Sequence, residues 1–96
     1  MELAIFARFH AHTGKEKPLE ALLRKQVGKA RIEPGCLSIG AFGSVRDPRL
    51  FFIHSRWLDE QAFEVHAALA NTDNFVKEAE ALIDHPFDVT RATSLA

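Results

Sequence analysis

Few side chains in this sequence can do chemistry, and they are widely spaced. Cys36 is the only cysteine and sits in the stretch EPGC. A nucleophilic thiolate needs a neighbouring histidine, a cation or a helix N-terminus. Cys36 instead follows a turn at the start of a strand, with Glu33 adding negative charge, so a small apolar residue is the favoured reading. One cysteine also excludes an internal disulfide and a CxxC site. His66 falls on the apolar stripe of a helix, one turn beyond Phe63. The chemistry open to it is proton transfer, because imidazole ordinarily titrates near neutral pH; the alternative is a packed, hydrogen-bonded core histidine. Trp57 at a strand end is either a core anchor whose indole N–H wants a partner or a donor to an oxygen atom in a pocket. His10 and His12 would point to one side of a strand, as metal pairs do, with His54 the one further candidate. A metal site needs a third and usually a fourth ligand; without a conspicuous cluster the expectation is no metal, and solvated histidines at a strand end.

Periodicity supplies the elements that would position these groups. ELAIFARFHA alternates as a strand, with Leu3, Ile5, Ala7 and Phe9 on one face and Ala4, Phe6, Arg8 and His10 on the other. Leu19, Leu22, Leu23, Val27 and Ala30 recur at helical spacing, with Pro18 tolerated in the first turn, and Pro34-Gly35 ends the segment. CLSIGAFGS and RLFFIHSRW read as a hairpin joined by VRDP. Asp59 caps a helix carrying Ala62, Phe63, His66, Ala67 and Ala70. Asn71 or Thr72 is expected to cap a further helix through Phe75, Ala79, Leu82 and Ile83, which Pro86 stops. FDVTRATS closes the chain as a strand. The order βαββαβ predicts an α+β, ferredoxin-like fold with an antiparallel sheet and helices on one face, as a single domain over residues 1–96.

Composition narrows the function classes. Twelve basic and thirteen acidic side chains, a formal net charge of −1, leave no basic field for a phosphate backbone, so no nucleic acid partner is expected. No apolar run reaches the roughly 20 residues that span a bilayer, and MELAIFARFH lacks the basic start of a secretion signal; the expectation is a cytoplasmic protein with no membrane partner. The third strand is apolar on both sides: Phe51, Ile53 and Trp57 on one, Leu50 and Phe52 on the other. Helices cover only one face, and the second, with Ala4 and Phe6, makes a patch that monomers rarely expose. A homodimer with facing sheets is expected.

The stretches EPGCLSI, DPRLFFIHSRWLDEQAFEVH and NTDNF together resemble the antibiotic biosynthesis monooxygenase family of small dimeric α/β barrels. The specific feature is the combination of a Pro-Gly-Cys turn, a strand ending in Trp57, and a helix carrying His66 nine residues later. The resemblance implies cofactor-free oxygenases of quinols and anthrones, alongside relatives that degrade haem or isomerise small metabolites. It also implies a base at His66 and a pocket role for Trp57. Two departures matter: Ile39 stands where relatives often have an aromatic residue, commonly Tyr, and Ser55 where they often have Glu. The first strand lacks the Asn of haem-degrading relatives.

What survives is an apolar pocket between the sheet and the second helix, lined by Phe51, Ile53, Trp57 and Phe63, with His66 as base. There is no GxGxxG motif and no P-loop, and no cofactor is expected. The expected function is a cofactor-independent monooxygenase that oxidises a small aromatic quinol or anthrone with molecular oxygen. The competing readings are a non-catalytic dimeric module that binds or senses a small molecule and an isomerase of a small oxygenated metabolite.

Overall fold

In the computed structural model, which describes residues 1–96, LAIFARFH and LFFIHSRW become the central strands of one antiparallel sheet. β1 (Leu3–His10) and β3 (Leu50–Trp57) pair along their whole length. Leu3 lies opposite Trp57, Ile5 opposite Ser55, Ala7 opposite Ile53 and Phe9 opposite Phe51. All of these are buried and form the inner face, as period-two alternation requires. β2 (Cys36–Gly43) flanks β3 and β4 (Asp88–Ala92) flanks β1, giving the order β2-β3-β1-β4. Helix α1 (Glu16–Ala30) connects β1 to β2; α2 (Glu60–Ala67) and α3 (Ala70–Glu80) lie between β3 and β4. This is the ferredoxin-like βαββαβ plan with its second helical connection split in two. No helix is long and apolar enough to cross a membrane.

Helix α1 contributes Leu19, Leu23 and Val27 to a core cluster that includes Phe9, Phe51, Ile53, Phe75 and Ala79. Each large side chain buried this way contributes roughly 1.5–3 kcal/mol. Leu3, Ile5 and Trp57 form a second cluster, against which Cys36, Ala62 and Phe63 pack. The Asp59 carboxylate caps α2 by accepting from the Ala62 N–H at 2.8 Å, satisfying a donor that the first helical turn leaves open.

The boundaries of α3 depart from the sequence expectation. The helix begins at Ala70 after an extended Leu69, with no side-chain cap, so Asn71 and Thr72 lie inside its first turn. It ends at Glu80, before Leu82 and Ile83 and well before Pro86. The cause is a competing ladder: the His12 N–H donates to the Leu82 carbonyl at 2.9 Å and the Asp84 N–H to the His10 carbonyl at 3.0 Å. Ile83 thus bridges Ala11 as an extension of the sheet.

On the outer face Phe6 remains 51% exposed and Phe42 55%. Phe6 stacks on His54, its cross-strand partner, at 4.8 Å between ring centroids.

The EPGC stretch is a tight turn in which the Cys36 N–H donates to the Glu33 carbonyl at 3.1 Å. Gly35 has φ +83°, and a Cβ there would lie 2.6 Å from the Ala62 Cβ of α2. Pro at the second position and a positive-φ glycine at the third are the pattern of a type II turn. Gly35 also accepts from the Leu58 N–H at 2.8 Å, tying the turn to the end of β3. Burial, and then the charge of Glu33, push the Cys36 thiol above its ordinary range.

Two outcomes follow. Gly35→Ala combines left-handed strain with a steric clash and should cost about 2 kcal/mol or more, read as a fall in Tm of roughly 8 °C or more. Because the thiolate is the reactive form, Cys36 should react with a disulfide reagent more slowly than a free thiol at pH 8. The rate should keep rising as the pH passes 9, and Glu33→Gln should accelerate it at fixed pH; a rate already at its plateau by pH 8 would contradict this.

Candidate active site

Between the inner face of the sheet and the pair α2–α3 lies a largely apolar cavity of about 280 Å3. Ile39, Ile53 and Ser55 reach it from the sheet, Phe63 and His66 from α2, and Thr72 and Phe75 from α3. His66 is the only titratable residue among those lining it. It reaches the cavity beside Phe63 because residues three apart share a helix face.

The imidazole is held from behind. Its Nδ1 lies 2.6 Å from Oε1 of Glu33, and both side chains are 11% exposed. An ionised carboxylate can only accept, so Nδ1 carries a proton, and in the neutral imidazole Nε2 presents its lone pair. The Trp57 ring packs against the imidazole with centroids 4.7 Å apart, and Phe63 lies 5.7 Å away. Carboxylate and aromatic rings together leave the ring little freedom to turn, which is what a positioned base requires.

The structure brings together Ile53, Phe63 and His66 around one cavity. Trp57 is fully buried, and its indole N–H donates to Ser55 Oγ at 3.0 Å. It stands behind His66 as packing and does not line the cavity. Phe51 is buried in the core beneath α1 and borders a different groove, between α1 and β2, with Arg24, Arg31 and Gly40.

Glu33 is the residue the sequence analysis missed. It appeared there only as a charge near Cys36, whereas the turn it opens delivers its carboxylate to a helix 33 positions later in the chain. The available signal was an acid before Pro-Gly and an imidazole on an apolar stripe, two polar groups that each need a partner if buried. Two polar groups add to the site. Glu33 Oε2 and Thr72 Oγ1 are buried without a hydrogen-bond partner, and Thr72 lines the cavity. Buried orphans of this kind are rare and need an explanation; for Thr72 a polar atom of a bound molecule is one.

His10 and His12 do not act as a pair. His12 is exposed beyond β1, and His54 is stacked on Phe6. His10 faces Asp84 instead, with Nδ1 2.8 Å from Oδ1.

The fold recurs widely. The structure of Rv0793 from Mycobacterium tuberculosis superposes with a TM-score of 0.93 at 24% identity, covering 100% of this chain and 97% of that one. PA3566 from Pseudomonas aeruginosa gives a TM-score of 0.90 at 29% identity, covering 99% and 95%. A crystal structure described as an antibiotic biosynthesis monooxygenase gives 0.90 at 24% identity, covering 98% and 99%. No curated protein sequence matches significantly. The family model for antibiotic biosynthesis monooxygenase matches residues 3–78, a span that takes in the EPGC turn, Trp57, Phe63 and His66 together; the chain belongs to the antibiotic biosynthesis monooxygenase family.

Proposed function

We propose that the protein is a cytoplasmic homodimeric monooxygenase that oxidises a small aromatic quinol or anthrone with molecular oxygen and no cofactor. The observation that carries this is the apolar cavity whose single titratable lining residue, His66, is oriented by Glu33. A volume of about 280 Å3 is near the lower end of small-molecule sites and matches a compact fused-ring ligand.

In the proposed reaction His66 Nε2 takes the proton of a substrate phenol or enol, leaving an electron-rich anion in an apolar site. The anion passes one electron to oxygen, and the resulting substrate radical and superoxide couple to form a carbon–oxygen bond. The peroxide anion recovers the proton from His66. Where the oxygenated carbon still carries a hydrogen, as in an anthrone, loss of that hydrogen with cleavage of the O–O bond releases water and leaves a carbonyl. One oxygen atom enters the product and the other leaves as water. The exchange of a solvated anion for one held by the imidazolium is the protein's contribution. Ser55 and Thr72, which line the cavity, would hold substrate oxygens, and Ile53, Phe63 and Phe75 would hold the rings.

One observation favours the second reading, a binding or sensing module. Ile39 and Ser55, the two departures from the usual Tyr and Glu, both line the cavity, so neither a phenol nor a second carboxylate assists there. Oxygen uptake with a panel of quinols and anthrones separates the readings. His66→Ala should lower turnover about 10²–10⁴-fold while ligand quenching of Trp57 fluorescence persists, and Glu33→Gln should lower it by a smaller factor. Binding without uptake, or full activity in His66→Ala, would leave the module as the better account.

The proposed dimer rests on the outer sheet face, where Phe6 and Phe42 are exposed and Phe52 is half-buried. Sedimentation should show a dimer at micromolar concentration, and Phe52→Lys should yield monomers, since the substitution places a second positive charge opposite Arg8 in the interface. A stable wild-type monomer would exclude the facing-sheet arrangement.

A further inference from the structure

We infer that His10, Asp84 and His85 form a binding site for a divalent cation of the zinc class, separate from the aromatic cavity. The site lies where the end of β1, the turn between β2 and β3, and the segment after α3 converge. Asp84 Oδ1 is 2.8 Å from His10 Nδ1 and 2.6 Å from His85 Nδ1, and ligand atoms of the three residues all lie within 4.8 Å of one another. Zinc takes imidazole nitrogen and carboxylate oxygen at about 2.0–2.2 Å, so side-chain rotations of about an ångström bring all three onto one ion. His85, 70% exposed at its side chain, is free to make them.

The hydrogen-bond arrangement around His10 points the same way. Its Nε2 lies 3.3 Å from Asp47 Oδ2, so the ring sits between two carboxylates. A neutral imidazole carries one N–H and can donate to only one of them, so either a second proton or a cation on Nδ1 completes the arrangement. With a cation on Nδ1, the Nε2–H donates to Asp47, and both sides are satisfied. That is the carboxylate–histidine–metal relay by which outer carboxylates fix the tautomer of a ligating histidine.

The frame is built independently of the side chains. The Asp84 N–H donates to the His10 carbonyl at 3.0 Å, and Ile83 bridges Ala11. Arg49 donates through Nε to the Ala11 carbonyl at 2.9 Å and through Nη2 to Asp84 Oδ2. The arginine occupies Oδ2 and leaves Oδ1 to the two imidazoles, so Asp84 ligates through one oxygen. Next to the cluster is a polar cavity of about 370 Å3 bordered by Arg8, His10, Asp47, His85, Pro86 and Asp88, which gives water access to a fourth coordination position. Two imidazoles select zinc, cobalt or nickel over magnesium and calcium, which prefer oxygen.

The test is calorimetric titration of the untagged full chain with zinc sulfate, repeated for His85→Ala, Asp47→Asn and His12→Ala. Saturable binding of one zinc per chain is expected, weakened at least about tenfold by His85→Ala and by Asp47→Asn, and unchanged by His12→Ala. His85 and His12 are both exposed, so neither substitution threatens the fold. Absence of saturable binding, retention of full affinity in His85→Ala, or equal loss in His12→Ala would each overturn the site and leave the cluster as an ion-pair network.

Discussion

The contact between Glu33 and His66 organises the region on which function depends. A carboxylate and an imidazole that are both mostly withdrawn from water must answer each other, because either one left alone would carry the cost of an unpaired buried polar group. To meet, the chain must turn sharply between α1 and β2, and that turn must approach α2 more closely than a side chain allows. Gly35 meets both demands, with φ +83° and no Cβ to strike Ala62. Trp57 then packs on the imidazole and Ser55 accepts its N–H, so the second core cluster and His66 share one set of walls. The turn, the strand end and the helix are therefore one unit, and a change in any of them reaches His66.

The sheet divides the molecule's chemistry by face. Its inner face is largely apolar, with Ser55 receiving the Trp57 N–H and Arg91, opposite Ile5 at the edge, lying over the Phe63 ring, and the cavity opens against that face. Its outer face carries the exposed rings of Phe6 on central β1 and Phe42 on edge strand β2, with Arg56 paired to Glu2 towards one end and Arg8 and His10 beside Asp47 and Asp88 towards the other. One strand, β1, thus supplies apolar packing through its odd-numbered residues and polar contacts through Arg8 and His10, two consequences of a single alternation.

Local patterning made the strands, the hairpin and the Asp59 cap legible, because each depends on residues within a few positions of one another. Other features depend on pairings that periodicity does not contain. Glu33 was legible as an acid before a turn, but its partner is 33 residues away. The bulge between Cys36 and Ser38 leaves Leu37 without a cross-strand partner and puts both Cys36 and Ile39 opposite inner-face residues of β3; strict alternation would separate them. The end of α3 differs from the sequence expectation because Leu82 and Asp84 find main-chain partners in His12, just beyond β1, and His10, at its end, a tertiary competitor to the local helical preference of Leu82 and Ile83. Of the proposed pocket residues, Phe51 and Trp57 share the buried face of β3 with Ile53, and alternation gives no means of telling which of the three a cavity will touch.

The cavity lining bears directly on how much of the chemistry can reside in the protein. The resemblance implies relatives with a phenol and a carboxylate where Ile39 and Ser55 stand, which would be additional proton carriers at the substrate. In the proposed reaction one imidazole must both take the first proton and return it, and its partner Glu33 does not line the cavity. Such a site suits a substrate that is already acidic and easily oxidised once deprotonated, since the protein then needs to stabilise only the anion and exclude bulk water. A less acidic phenol would require stabilisation of negative charge that Ile39 cannot provide and that Ser55, engaged by Trp57, can provide only through its own hydroxyl proton. On the proposed reading, the same two substitutions favour fused-ring enols and hydroquinones with low first pKa values, for which a single oriented base is sufficient.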